Sequence, residues 1–280
     1  MRDYKVKPVE SLSRGLRVLQ VLQEMRAASL HDLHLATGIP KSTLTRILYT
    51  AHRQGLVWQR MADGAFLPSH TLHRVPFEDA DWLGEIASPV LARLCERVRW
   101  PSVLSVPRLD YMEVVETNSR RASFDDIRAR PVSFRVNLLR SASGRAYLAF
   151  CPDREREAVL RRLRERDLPG HELASQPEAL HRIIQATRRQ GYAVRAADFG
   201  GHYSKTRADH DDGRLSIAMP IRLEGRVLGC INLTWRMKVM TVAEMARRHL
   251  DDLRGAVAAV EQRASEVSGS LRDGVGEQEA

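Results

Sequence analysis

The stretch 30–68 constrains the fold more than any other part of the sequence. A short helical pattern ends at Gly38, a residue suited to the left-handed conformation that closes helices, and Pro40 sets the turn into a second helical pattern. The run LVWQRMADGAFLP then alternates apolar and polar residues around Asp63-Gly64, which predicts a tight β-hairpin. Two helices joined by a tight turn and followed by a hairpin are typical of a winged helix-turn-helix.

A further helix ahead of these two completes the unit, which we assign to residues 11–77. In each helix, apolar residues at helical spacing predict the buried face. They are Leu12, Leu16, Leu19 and Leu22 in the first helix, where Val18 and Val21 widen the stripe, Leu30, Leu33 and Ala36 in the second, and Leu44, Ile47, Leu48 and Ala51 in the third.

The opposite face of the third helix carries cationic and hydroxyl side chains. Its first residues lie where free backbone N–H groups and the helix dipole favour an anion such as a phosphate. A recognition helix needs such groups for phosphates, together with side chains that reach base edges. The sequence therefore predicts a site for double-stranded DNA that contains Arg14, Lys41, Ser42, Thr43, Thr45, Arg46, Arg53 and Arg60.

The positive charge is concentrated at this end of the chain. The formal net charge is +9, and residues 1–77 contribute +6 of it, with eleven Lys or Arg against five Asp or Glu. Such a field favours a polyanion, either nucleic acid or an anionic membrane, although an ordinary solvated surface is an alternative. A winged helix that binds only protein is a further alternative, and the basic and hydroxyl residues of the third helix favour DNA over it.

Several functional classes are disfavoured by the sequence. No window approaches the roughly 18 consecutive apolar residues of a membrane span, and the start MRDYKVKPVESLSR lacks the apolar core of a secretory signal. The three cysteines are widely separated and form no CxxC pair, which indicates neither a zinc site nor a disulfide framework. We therefore expect a cytoplasmic protein that has no membrane partner.

The sequence offers little for catalysis. It contains no GxSxG, no P-loop and no GxGxxG after a strand, and no histidine is placed by motif to activate Cys151. We expect no catalytic residue, no cofactor and no metal site, and we keep an enzyme only as a minority hypothesis. One loop does gather metal-binding residue types, but without the spacing of zinc ligands, which favours a solvated polar loop: His202, Asp209, His210, Asp211 and Asp212.

Strand and helix patterns interleave in residues 99–265. VLSVPRL and YMEVVET predict two strands joined at Asp110, and LSIAMPIRL and GRVLGCINLTW predict a hairpin around Glu224-Gly225. The segments REREAVLRRLRERD and PEALHRIIQATRRQG are each predicted to form an amphipathic helix, and a last helix is predicted over 242–261. This pattern predicts a mixed sheet with helices on its faces, of α/β or α+β class.

The chain therefore divides into five segments: a flexible N-terminus at 1–10, the winged helix-turn-helix at 11–77, a linker helix at 78–98, a second domain at 99–265 and a disordered tail at 266–280. The linker helix carries an apolar stripe, which predicts either contact between two DNA-binding domains or packing on its own domain. Because symmetric operators pair with dimeric readers, we expect a homodimer.

The sequence resembles the IclR family of bacterial transcription regulators over about residues 9–262. The DNA-binding half matches at SLSRGLRVLQVLQ, LHDLHLATGIPKSTLTRILYTAHRQGLV and DGAFLP, and the effector-binding half matches at SASGRAYLAF, RRQGYAV, SIAMPI and GRVLGCINLTW. The resemblance implies an α+β chain in which a linker helix joins the winged helix-turn-helix to a GAF-like effector-binding domain with helices packed on a sheet. It also implies transcription regulation and allows a dimer of dimers.

Effector binding requires a mostly apolar cavity with a few convergent polar groups. Ser143 and Gly144 are candidates because a helix start offers N–H groups to a carboxylate. Matching the family motifs adds Ser216, Asn232 and Thr234, whose spacing is compatible with one sheet face, although Ser216 and Thr234 facing solvent is an open alternative. Arg140 or Arg145 would help to bind an anion, but we expect both at the surface.

Within the family, WPSVLSVPRLDYMEVVET and ASFDDIRARPVSFRVNLLRSASGRAYLAFCP resemble the activators of hydroxyphenylpropionate catabolism. This resemblance implies an aromatic acid as effector, such as a hydroxyphenylpropionate or cinnamate. It also favours activation over repression, which the residues alone do not decide.

Overall fold

The computed structural model describes residues 7, 9–70, 81–119 and 131–276. Its internal contacts divide the chain into two compact units, Met1–Glu85 and Ile86–Ala280, so the division falls inside the predicted linker helix. Most of the predicted flexible N-terminus, positions 78–80 of the predicted linker and the last four residues lie outside the described residues.

The first unit contains three helices followed by a two-stranded antiparallel hairpin, as predicted. Their apolar faces meet in one core, which includes Val18, Leu22, Leu33, Leu44 and Leu48. The elements are α1 (Glu10–Met25), α2 (Leu30–Thr37), α3 (Lys41–Arg53), β1 (Val57–Gln59) and β2 (Phe66–Pro68).

Local sequence sets the turns of this unit. Ser29 caps α2 in a reciprocal capping box with Asp32, and Gly38 ends the helix in the left-handed conformation at φ 69°. At the hairpin, Gly64 has φ 79°, a conformation that suits glycine and explains the Asp63-Gly64 signal.

Helix α1 departs from the predicted packing. Leu12 and Leu16 are 59% and 52% exposed, and the buried residues are Val18 and Leu22. Leu16 precedes Val18 by two residues and therefore lies on nearly the opposite side of a helix with 3.6 residues per turn. The prediction that Leu12 and Leu16 face the core is wrong, and so is that for Ala36, which is exposed.

The second unit is built on one six-stranded sheet, in the order β5-β4-β3-β8-β7-β6, with every pairing antiparallel. The predicted α+β class is confirmed. After α4 (Asp81–Val98), which spans the division between the units, the elements are β3 (Ser102–Pro107), β4 (Met112–Thr117), β5 (Arg135–Val136), α5 (Ala142–Phe150), α6 (Asp153–Arg166), α7 (Pro177–Gln190), β6 (Ala193–Val194), β7 (Arg214–Leu223), β8 (Arg226–Arg236) and α8 (Val242–Gly276).

Helices cover this sheet because both of its faces are apolar. Ala218 and Cys230 belong to a core shared with α5, α6 and α7, and the alternating residues Ile217, Ile231 and Leu233 are fully buried as well. Helices α5 and α8 both pack against β7 and β8. Within the described residues, no helix is long and apolar enough to cross a membrane.

The C-terminal helix is longer than predicted. We expected it to end near Glu261 and to be followed by a disordered tail from residue 266, but α8 continues to Gly276. Ala264 is fully buried and Ser268 is 6% exposed, which extends the helical spacing of Leu253, Val257 and Val260. Packing of these residues explains why the chain remains helical as far as Ser268.

Candidate nucleic-acid interface and effector cavity

The N-terminus of α3 is open to a ligand. Pro40 precedes it, and no side chain caps the helix, so its first N–H groups are available to an anion. Lys41 and Ser42 are exposed and Thr43 is half-buried. These three predicted residues therefore lie together at the positive end of the helix dipole.

Hydroxyl groups along the exposed face of α3 already donate their protons. Thr45 Oγ1 donates to Lys41 O at 2.9 Å, and Thr50 Oγ1 donates to Arg46 O at 2.8 Å. Each hydroxyl is therefore left as an acceptor, which suits the amino groups of adenine or cytosine, while its methyl group suits thymine.

The same face carries the longest side chains of the helix. Arg46 and Arg53 are exposed, as predicted for groups that reach DNA. Tyr49 is 64% exposed between them, and the sequence analysis did not select it. Its place one turn after Thr45 was the signal that could have identified it. On α1, Arg14 is also exposed.

The hairpin is less cationic than its sequence suggests. Arg60 makes a bidentate contact with Asp63: Nε donates to Oδ1 at 3.1 Å and Nη2 donates to Oδ2 at 2.7 Å. Partial burial opposes the effect, but the hydrogen bonds from Arg60 and Ala65 N–H hold the pKa of Asp63 below its usual value. The charge of Arg60 is thus already compensated before any phosphate arrives.

The end of the hairpin is attached to the N-terminal part of α4. Glu85 accepts hydrogen bonds from Ser69 Oγ at 2.7 Å and from the His70 backbone N–H at 2.8 Å. Nδ1 of His70 lies 2.8 Å from the same carboxylate, which raises the pKa of His70 even though partial burial lowers it. This carboxylate fixes the end of the winged unit to the start of the helix that leaves it.

The second unit contains a small cavity of about 90 Å³ on the α5 side of the sheet. Its walls include the apolar residues Val103, Val114, Phe134, Val136 and Phe199. Strands β3, β4, β7 and β8 form one side, and the segments at 134–142 and 195–214 close the other. The cavity therefore has the mostly apolar character expected of a site for a small organic molecule.

The structure brings Ser216, Asn232 and Thr234 together at this cavity. Ser216 pairs with Thr234 across β7 and β8, and Asn232 pairs with Ala218 two residues further along. Directly paired residues and residues two apart share a sheet face, so all three side chains lie on one side. Their contact with an effector remains a prediction.

Ser143 and Gly144 lie behind the cavity wall. Ser143 Oγ accepts a hydrogen bond from Asn232 Nδ2 at 3.3 Å, and Gly144 N–H donates to Ser141 Oγ at 3.0 Å. A Cβ at Gly144 would lie 2.2 Å from Leu138 O, so the glycine permits close packing of α5 on that segment. Ser141, the N-cap of α5, lines the cavity instead.

A buried ion pair forms the polar end of the cavity. Arg195 Nη2 lies 2.8 Å from Asp212 Oδ1, and the two side chains are 5% and 11% exposed. Nε and Nη2 of Arg195 also donate to Phe199 O. Burial lowers the pKa of Arg195, and the charge of Asp212 opposes that effect.

The prediction that Arg140 and Arg145 lie at the surface is wrong. Arg140 is 7% exposed and binds Asp198 and the carbonyl of Lys205, while Arg145 is half-buried and donates to Leu139 O and Val194 O. Burial lowers the pKa of Arg145 to about 10. Both arginines attach the segment 194–205 to the start of α5, which requires tertiary contacts between distant parts of the chain.

Sequence reasoning also missed Phe134, Arg195, Phe199 and Asp212 as cavity residues. Only Asp212 had been considered, as part of a polar loop, and no motif marks the other three. Across the described residues, no group of three His, Cys, Asp or Glu side chains is arranged to hold a metal ion.

Two family models match the chain. The IclR helix-turn-helix domain matches residues 11–60, and the bacterial transcriptional regulator IclR C-terminal domain matches residues 83–262. Together they cover the candidate nucleic-acid interface and the effector cavity.

Individual proteins with similar sequences or structures are regulators of the same family. The transcriptional repressor IclR of Escherichia coli (strain K12) is 25% identical over 190 residues, which is 66% of this chain and 68% of that protein. An IclR family regulator from Brucella abortus aligns at a TM-score of 0.51 with 20% identity, over 92% of this chain and 93% of its own. An IclR homolog from Microbacterium sp. strain HM58-2 aligns at 0.51 with 23% identity, over 92% and 98%. These structures support the fold.

Proposed function

The chain belongs to the IclR family of bacterial transcriptional regulators, and on that premise we propose that it controls an aromatic-acid catabolic operon in response to a small organic acid. The proposal has two parts, operator binding by the first unit and effector binding by the second. It assigns the protein no catalytic step and places it in the cytoplasm with its DNA.

The observation that carries the DNA-binding part is the exposed face of α3. Its uncapped N-terminus and Lys41 meet a phosphate, and Arg53 at the far end meets another. Between them, Arg46 binds guanine through both forks, and Thr45 accepts a hydrogen bond from a base amino group. Arg14 adds a backbone contact from α1, and Arg60 contributes little while it is paired with Asp63.

The charge of the cavity supports an anionic effector. Arg195 and Arg214 both line it, and Arg195 is paired with Asp212. Guanidinium groups at this end suit one carboxylate, which Ser216, Asn232 and Thr234 would orient by hydrogen bonds. A carboxylate at this polar end leaves the rest of the ligand against apolar walls.

The apolar walls favour an aromatic body over a short aliphatic one. Phe134 and Phe199 are aromatic residues of the lining, and Val103, Val114 and Val136 complete the surface. We therefore propose a hydroxyphenylpropionate or cinnamate as effector, in agreement with the subgroup that the sequence resembles.

We propose that a homodimer binds the operator, and a dimer of dimers is compatible with this proposal. Two-fold operators present half-sites about 34 Å apart, and one winged unit alone binds weakly. Val9, Leu12 and Leu16 form an exposed apolar stripe on α1, which a second copy would bury. The effector would act by its differential affinity for two arrangements of the recognition helices.

The first experiment is a gel shift of the full chain with the intergenic DNA next to its own gene, with and without a panel of aromatic acids. A specific shift that one acid alters supports both parts of the proposal. A shift that no acid alters removes the effector assignment. No shift at any salt concentration with folded protein overturns DNA binding and favours the protein-interaction hypothesis.

Two variants and one control variant make this experiment specific. Arg46→Ala removes a predicted base contact, whereas Arg226→Gln removes an exposed arginine from the second unit. Thr234→Val removes a cavity hydroxyl with little change in volume. We expect Arg46→Ala to lose the specific shift, Thr234→Val to lose only the effector response, and Arg226→Gln to behave as the parent protein.

A further inference from the structure

A second and larger cavity lies in the same unit as the effector cavity. Its free volume is about 440 Å³, within the range of small-molecule sites, and about 90 Å³ is free in the first. The β3–β4 turn, β5, the end of α6 and the loop 201–210 surround it. The two cavities share Phe134 and Gly201 as wall residues, and their remaining walls differ.

One wall of this second cavity is held rigidly. Tyr203 O accepts a hydrogen bond from the buried Asn137 Nδ2 at 3.0 Å. The Tyr203 hydroxyl lies 3.2 Å from both His171 Nε2 and the carbonyl oxygen of Asp110, and His171 Nδ1 lies 3.1 Å from Leu163 O. Because both the backbone carbonyl and the side-chain hydroxyl of Tyr203 are hydrogen-bonded, this wall needs little reordering when a ligand binds.

Cationic side chains line the cavity. Arg166 is paired with the buried carboxylate of Asp110. Arg135 stands over the Tyr111 ring, 4.7 Å from its centroid, and no carboxylate of the described residues lies within ion-pair distance of its guanidinium. His202 and His210 add hydrogen-bonding imidazoles at the rim. These groups favour an anion, because guanidinium and imidazole groups donate hydrogen bonds to a carboxylate.

The remaining lining is aromatic or apolar. The rings of Tyr111, Phe134 and Tyr203 line the cavity together with Leu168, which is 44% exposed. Aromatic residues beside the Arg135 guanidinium suit a planar ligand with a carboxylate at one end.

We propose that this cavity is a second small-molecule site, distinct from the effector cavity, that takes a planar organic anion of the aromatic carboxylate class. Arg135 binds the carboxylate, and Tyr111 and Phe134 contact the ring. Because Phe134 also lines the effector cavity, occupation of one site changes a wall of the other.

The NMR signals of the tyrosine rings give a test that separates the two sites. The chain has six tyrosines, and Tyr111 and Tyr203 line the second cavity, whereas no tyrosine is found among the described residues that line the first. Full-length protein with ¹³C-labelled tyrosine rings is titrated with cinnamate, and with cinnamyl alcohol as the uncharged probe. Tyr111→Phe assigns its signal.

We expect cinnamate to shift the Tyr111 and Tyr203 signals in a saturable way and cinnamyl alcohol to do so at least about tenfold more weakly. Arg135→Gln should weaken the cinnamate response at least about tenfold, which corresponds to the loss of one charge-assisted hydrogen bond. Arg226→Gln, which removes an exposed arginine of the same unit, should leave it unchanged.

The proposal is overturned if cinnamate shifts neither signal up to roughly 10 mM, or if Arg135→Gln responds as the parent protein does. Such a failure leaves the proposed function intact when an acid still alters the gel shift. Conversely, saturable tyrosine shifts without any effect of acids on operator binding support the second site and remove the effector assignment.

Discussion

Asp63 binds both forks of Arg60 at the tip of the hairpin, at 3.1 and 2.7 Å. The side chain of Arg60 is only 12% exposed, whereas that of Asp63 is 44% exposed. The wing therefore presents a compensated pair where the sequence suggested a free cation.

Asp63→Asn should strengthen DNA binding at low salt, because it frees the charge of Arg60 for a phosphate. The slope of log affinity against log salt should become steeper by about 0.9, the release of one more counterion. Glu24→Gln is the control, since it removes an exposed carboxylate from α1 without freeing a paired arginine. Equal slopes for Asp63→Asn and Glu24→Gln would contradict the prediction.

Arg46→Ala and Lys41→Ala should weaken DNA binding in different ways. Loss of Arg46 should cost about 1–3 kcal/mol on the operator and relax selectivity at one base pair. Loss of Lys41 should weaken all duplexes alike and reduce the salt slope by about 0.9. Binding to a set of operators with single base changes, measured at several salt concentrations, distinguishes the two. A uniform loss with Arg46→Ala would exclude base recognition.

The attachment of His70 to Glu85 should weaken as pH rises. The pKa of His70 is raised in the folded state, so its stabilising contribution is fully present below the usual value of 6.5 and is lost as pH passes through the raised value. Hydrogen exchange of the His70 amide, corrected for intrinsic rate, should therefore become faster above neutral pH. Glu85→Gln should remove this dependence, and an unchanged profile in that variant would refute the assignment.

Gly144→Ala should destabilise the second unit. The new Cβ would lie 2.2 Å from Leu138 O and 2.4 Å from Leu138 Cα, and backbone atoms cannot move aside cheaply. Overpacking of this kind costs about 1–3 kcal/mol or more, visible in the urea midpoint. Gly255→Ala is the matched control, because its Cβ meets nothing within 4 Å in helix α8. Similar midpoints for the two variants would show that α5 shifts to accommodate the methyl group.

Much of the first unit was predictable because its signals are local. The capping box at Ser29, the left-handed Gly38 and the Asp63-Gly64 turn each act within a few residues. The failure at Leu12 and Leu16 has a different origin, since a stripe that is apolar around most of α1 does not show which side will be covered. That choice belongs to α2, α3 and β2, which pack against Val18 and Leu22.

The residues of the effector cavity also divide into some that the sequence predicted and others that it did not. Ser216, Asn232 and Thr234 lie on two consecutive strands of one hairpin, so their common face follows from a period of two and from the register. Arg195 and Asp212 are held by ion pairing and by the carbonyl of Phe199 in a loop without regular structure. No periodicity applies to such a loop. Arg140 and Arg145 were misplaced because their partners include the distant segment 194–205.

The sequence by itself determined the order of elements, the winged helix-turn-helix, the exposed cations of α3 and the family, because these depend on spacing and on short-range turns. Tertiary structure alone decided where the arginines of the second unit lie. It buried Arg140 against Asp198 and placed Arg135 over Tyr111. The physical reason is that an arginine is a long side chain whose partner is chosen by distance in space, and the packed sheet and loops set that distance.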